Sequence, residues 1–139
     1  MLYYTTKLYY TTEKLKYQLY VVLYNMEDPE KILLDNVREY WKNALSAEQN
    51  NEFNTSVTLF FKTLSALADI YILRKEKHIP TSHANRFRTL ETKYPEIYRI
   101  LDRDFPFYQD SYKSKLDMET SNMLKQDVKK LSRILGIEL

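Results

Sequence analysis

The sequence predicts an all-α fold, a single-domain up-and-down helical bundle of about five to six helices, and three observations predict it. Glycine occurs once, at Gly136, and proline four times, so the positive-φ corners of a many-stranded β fold have almost no residues to make them. Apolar residues recur three and four apart through most of the chain, the period of a helix buried on one face. Helix-start signals at Asp28-Pro29-Glu30, Thr81-Ser82 and Asp117 divide that pattern into segments of helical length.

Residues 2–6 and 8–12 both read LYYTT, an echo too short for a solenoid repeat. Tyr, Thr and Val dominate residues 3–24 and pull toward strand. Leu8, Leu15, Leu19, Val22 and Leu23 nevertheless recur at helical spacing, which predicts a helix from about Thr11 and leaves residues 1–10 as an ambiguous N-terminal segment before a domain over 11–139. Asp28 caps a second helix with Pro29 at its first position, running to about Glu48 with Ile32, Leu33, Val37, Tyr40, Trp41, Ala44 and Leu45 as its apolar stripe.

After the polar break SAEQNNEFN comes the most apolar segment, Val57 to Leu73, interrupted by charge only at Lys62 and Asp69. Apolar residues on several of its faces predict a central helix. Thr81 or Ser82 starts a fourth helix, about 82–93. Pro95 opens a fifth through about Asp104, and Pro106 is expected to stop it, giving a bend at Phe105 to Tyr108. Asp117 caps a last helix to about Leu135, with Glu119 at its positive end, Lys129, Lys130 and Arg133 toward its negative end, and Gly136 as terminator.

At 139 residues the chain suits one core. It has no cysteine, which excludes disulfides, thiolate zinc sites and thiol nucleophiles and points to a reducing cytoplasm. No apolar run approaches the roughly 20 residues that cross a bilayer, and no signal peptide opens the chain, so no membrane association is expected. A net charge of +2 is too small to argue for nucleic-acid binding by itself, so any such site must be local.

From Asn51 to Leu135 the order of features resembles the HEPN-domain proteins, particularly small prokaryotic ones. The stretches that carry the resemblance are ALSAEQNNEFNTSVTLFFKTLSALADIYIL, then IPTSHANRFRTL, then IYRILDRDFPFYQDSYKSKLDMETSNMLKQDVKKLSRIL. The first looks like that family's pair of long helices flanking a short polar turn, and the last like its arginine, aspartate and aromatic segment before an acid-started final helix. The resemblance implies a dimer, and it implies RNA-cleaving toxins, partners of small nucleotidyltransferases or noncatalytic binding domains without choosing among them. Toxins of this kind carry an Arg, four to six residues, then a His. Here Arg74 and His78 have only three residues between them and Arg74 and His83 have eight, a departure that counts against a nuclease.

The sharpest local candidate for chemistry is RKEKHIPTSHANRFR, residues 74–88, where Arg74, Lys75, Lys77, Arg86 and Arg88 gather beside His78 and His83 with Glu76 as the one acid. Such a cluster can hold phosphates. His83 and Arg86, three apart on a helix, are neighbours; as an acid/base and an oxyanion holder they would make a metal-free ribonuclease, whereas the structural reading is a solvated helix end. Asp69 lies inside the apolar helix and needs a partner, Arg74, Arg86 or Arg103, in a structural ion pair, or else serves as a general base. Tyr108 and Tyr112 either stack on a base or cover a helix junction.

Asp102-Arg103-Asp104 outlines a metal pair, but nucleotidyltransfer also needs a Gly-Ser phosphate loop that one terminal glycine cannot supply, and His78 and His83 lack a third ligand. No metal or cofactor is expected. Thirteen tyrosines, many within residues 3–40, suit either a subunit interface or half-buried packing. The leading expectation is a noncatalytic homodimer that recognises a protein, RNA or nucleotide-containing partner through Arg74, Lys77, His78, His83, Arg86, Arg88, Tyr108 and Tyr112. A divergent endoribonuclease and a substrate-binding partner of a separate nucleotidyltransferase are the alternatives.

Overall fold

Helix periodicity becomes six helical segments in a computed structural model that describes residues 11–20, 22 and 28–139. Residues 1–10, with most of the LYYTT echo, and Leu23 lie outside the described residues. The segments are α1 (residues 11–20), α2 (Pro29–Gln49), α3 (Phe53–Glu76), α4 (His83–Lys93), α5 (Pro95–Asp110) and α6 (Met118–Leu135). No strand occurs among the described residues.

The Asp28 carboxylate accepts from the Glu30 amide at 3.0 Å and Pro29 occupies the first turn of α2. Val37, Ala44 and Ala47 are its buried line, with Leu33, Leu34, Trp41 and Leu45 packed against the core. Ile32 departs from the predicted stripe: one position off the line of Leu33 and Val37, it is exposed. A turn at Asn50 to Glu52, with Asn51 at φ 58, reverses the chain; asparagine tolerates that left-handed geometry. So short a connection lays α3 antiparallel along α2.

α3 packs against α2, α5 and α6, and α4 packs on α5. α3 begins and ends beyond the predicted Val57 and Leu73: the Ser56 amide reaches the Glu52 carbonyl at one end, and Lys77 at φ 64 closes the other. By length and composition α3 could cross a membrane, contrary to the reading that no run is long enough, yet 72 % of its most apolar window is buried by the bundle. Its small polar residues are absorbed by local bonds, Thr58 to the Asn54 carbonyl at 2.7 Å and Thr63 to the Leu59 carbonyl at 2.8 Å.

Of the two predicted caps for α4, Ser82 takes the role, its hydroxyl accepting from the Asn85 amide at 3.1 Å. Pro106 does not stop α5, which runs through it to Asp110. The ring removes only the bond to the Asp102 carbonyl, and Asp102 and Pro106 both lie on the exposed face, where water replaces the lost donor. Phe105, Phe107 and Tyr108 pack on the core and hold the extra turn in place.

Asn54 secures the following loop: its amide donates to the Ser111 and Ser114 carbonyls at 2.9 and 2.6 Å, and its Oδ1 accepts from the Leu116 amide at 2.9 Å. Asp117 caps α6 by accepting from the Thr120 amide and hydroxyl at 2.9 and 2.8 Å, which holds its carboxyl below the usual range. Gly136 at φ 69 ends α6. Between α2, α3 and α6, Ser121 bonds Ser56 at 2.7 Å and Glu48 at 2.6 Å, and Lys125 pairs with Glu48, so a polar inlay crosses the core with its groups satisfied.

Candidate functional site

The basic cluster of residues 74–88 is divided by the fold. Arg74 ends α3 as a clamp: its Nε and Nη2 donate to Glu30 Oε1 at 2.8 and 2.6 Å, and its Nη1 donates to the Leu135 carbonyl at 2.9 Å, tying the start of α2 and the end of α6 together. The Lys77 ammonium caps the Arg74 carbonyl at 3.1 Å. Glu76 accepts from Lys93 at 3.0 Å and from the Tyr94 hydroxyl, bonds that hold its carboxyl below the usual range and push the Tyr94 phenol up to about 12. His78 and Arg88 are exposed. Of the predicted binding residues, three converge: His83, Arg86 and Tyr108 line one open cleft of about 270 Å³.

The cleft is built by helical spacing. On α2, Asn36 and Tyr40 lie four apart; on α3, Lys62, Ser65 and Asp69 lie three and then four apart, so each set shares a face. The first turn of α4 brings His83 and Arg86, and the last turns of α5, beyond Pro106, bring Tyr108. The run of α5 past its proline therefore completes the wall.

Asp69 and Arg86 form a two-point ion pair, Nε to Oδ1 at 2.7 Å and Nη2 to Oδ2 at 2.8 Å, with both side chains largely buried. Among the three arginines named for Asp69, the fold uses Arg86. Arg86 Nη1 also lies 2.9 Å from His83 Nδ1. A guanidinium only donates, so Nδ1 accepts and the ring proton sits on Nε2. Burial first, and the neighbouring Arg86 cation second, lower the His83 pKa below its ordinary 6.5, with the Lys62 charge acting in the same direction. His83 is thus a neutral imidazole whose open edge presents Nε2–H.

The imidazole rests on aromatic rings, 5.9 Å from Phe105 and 6.0 Å from Tyr108 between centroids. Tyr108 stacks on Phe61 at 4.8 Å and its hydroxyl meets that of exposed Tyr112 at 2.9 Å; that bond and burial push the Tyr108 phenol up to about 12. Tyr108 packs on Phe61 and Phe105, while Tyr112 touches Tyr108 from an exposed position.

A second acidic group lies apart from the cleft. Asp104 is fully buried, and its Oδ2 has no hydrogen-bond partner among the described residues. Arg103 spends its short bond, 2.5 Å, on Asp127 and reaches Asp104 only at 3.5 Å. Burial first, and then the neighbouring Asp127 carboxylate, push Asp104 from 3.8 up to about 8. Among the described residues no three His, Asp or Glu side chains gather as a metal site.

Sequence reasoning missed Asn36, Tyr40, Lys62 and Ser65. Lys62 was legible as a lone cation in an apolar helix, and its spacing from Asp69 places the two on one face; nothing in the sequence brings α2 against them. Comparison of the chain with protein-family models, with curated proteins and with solved structures gives no match in any of the three.

Proposed function

We propose that this chain is a noncatalytic, cytoplasmic, HEPN-like binding protein that forms a homodimer and recognises a protein or nucleotide-containing partner through the cleft walled by Tyr40, Lys62, His83 and Tyr108. The observation that carries this reading is the bond between Arg86 and His83 Nδ1. It occupies the imidazole lone pair that a general base needs, while Asp69 occupies two further guanidinium donors. Groups arranged in this way can recognise charge and shape and are poorly placed to move a proton. Leu15, Leu19 and Val22 on and just beyond α1, spaced by four and three residues and each more than half exposed, support dimerisation.

Purified protein incubated with mixed-sequence RNA in EDTA is expected to give no cleavage at any protein concentration, and sedimentation is expected to give a dimer. A second reading, a metal-independent endoribonuclease, rests on the exposed position of His83 at the cleft, where its Nε2–H could give a proton to a leaving group. Metal-free cleavage abolished by both His83→Ala and Arg86→Ala would replace the first reading with the second.

A further inference from the structure

We infer that the cleft is an oxyanion site, taking a carboxylate or phosphate group on a small ligand, held by Lys62, by the Ser65 hydroxyl and by the donors that Arg86 and His83 have left. The inference rests on the reading of the cleft as a binding site and adds the chemistry of what binds there.

Ser65 is the independent observation. It lines the cleft, is only 7 % exposed, and its Oγ is the one buried hydroxyl among the described residues without a hydrogen-bond partner. Three other hydroxyls of α3 show what a helix ordinarily does with such a group: Ser56, Thr58 and Thr63 each donate back to a carbonyl one turn earlier. An unmatched buried hydroxyl costs free energy that a ligand acceptor would recover.

The remaining groups agree in sign. Lys62 and Arg86 carry two positive charges against the one negative charge of Asp69, and His83 is neutral, so the cleft is positive by one. Both Asp69 oxygens and His83 Nδ1 are already accepting from Arg86. What these groups have left is donors, namely two of the five guanidinium N–H groups, His83 Nε2–H, the Lys62 ammonium, which lies 5.8 Å from the Tyr40 ring centroid, and Ser65; Asn36 and Tyr40 on the facing wall can donate or accept. Lys62 stands near enough to His83 to lower its pKa, so these donors share one space. The first turn of α4, which delivers His83, contains no acid to oppose an anion at its positive end. A cation would meet two positive side chains here, and an apolar group would strand every donor.

The volume of about 270 Å³ lies just under the range of drug-sized sites, which suits an anionic group on a small body. Isothermal titration of the full chain with sodium phosphate, sodium acetate and 5′-AMP at constant ionic strength tests the assignment. Phosphate, acetate or both are expected to bind, and whichever binds identifies the phosphoryl or the carboxylate ligand. Ser65→Ala is expected to leave the unliganded fold as stable as before or more so and yet weaken anion binding about tenfold, and Lys62→Ala to weaken it by a similar factor. Binding of 5′-AMP that both variants retain undiminished would overturn the oxyanion assignment and keep the cleft as a binding site. No binding of any of the three would overturn the assignment too, while the RNA and sedimentation experiments judge the underlying reading separately.

Discussion

Asp69, 6 % exposed on α3, and Asp104, wholly buried on α5, each lie beside one arginine. Arg86 commits two donors to Asp69 and is itself largely buried, so both carboxylate oxygens are paired inside the protein. Arg103 is divided: more than half exposed, it binds Asp127 closely and Asp104 distantly, and Asp104 holds its proton up to about pH 8. The proximity of a guanidinium is therefore a poor guide to the charge of a buried acid. The number of well-aligned donors it commits decides the outcome, because desolvation costs more than one long contact returns.

The largest expected effect breaks the first pair. Asp69→Ala leaves Arg86 charged and unpaired in the cleft wall and is expected to cost about 3–5 kcal/mol in urea unfolding, whereas Asp69→Leu with Arg86→Met recovers most of it. A loss below about 1 kcal/mol for Asp69→Ala would mean that the pair is effectively solvated.

The next effect is a pH dependence belonging to Asp104. Its folded pKa lies above its unfolded value, so the native state keeps a proton that the unfolded chain releases, and stability falls as pH rises from about 4 to about 8 and then levels off. The fall is on the order of a few kcal/mol, since a tenfold change in proton affinity corresponds to about 1.4 kcal/mol. Asp104→Asn is expected to flatten this part of the profile and to exceed the wild type in stability above neutral pH, read from denaturation midpoints across the range. An unchanged slope would place the proton elsewhere.

Asn54 sharpens the contrast as an uncharged counterpart. It satisfies three backbone groups of the α5–α6 loop, and Asn54→Ala is expected to cost about 2 kcal/mol with no dependence on pH. Gly136→Ala is smaller still, about 1 kcal/mol: an added Cβ would meet nothing within 4 Å, so the cost is that of the left-handed backbone alone.

Much of this fold was legible because its signals are local. Asp28, Ser82 and Asp117 cap helices by bonds to amides two or three residues on, and Gly136 ends one by its own φ. Pro106 was misread because a local rule met tertiary packing: Phe105, Phe107 and Tyr108 hold a turn that the ring alone would end. The basic cluster looked continuous in sequence, yet Arg74 and Lys77 face helix ends while Arg86 turns into the cleft. The buried state of Asp104 was not legible, since Asp102 and Asp104 read alike until the packing of α5 in the bundle buries one and leaves the other exposed.

The most direct test of the claim that the cleft binds rather than cleaves is nitrogen NMR of His83 across a pH titration. The expected result is an imidazole protonated on Nε2 with Nδ1 accepting, and a pKa below 6.5 that rises in Arg86→Ala. A neutral ring with its proton on Nδ1 would free the Nε2 lone pair for proton transfer and contradict the noncatalytic reading, and a pKa above 6.5 would mean that burial and Arg86 do not govern the ring.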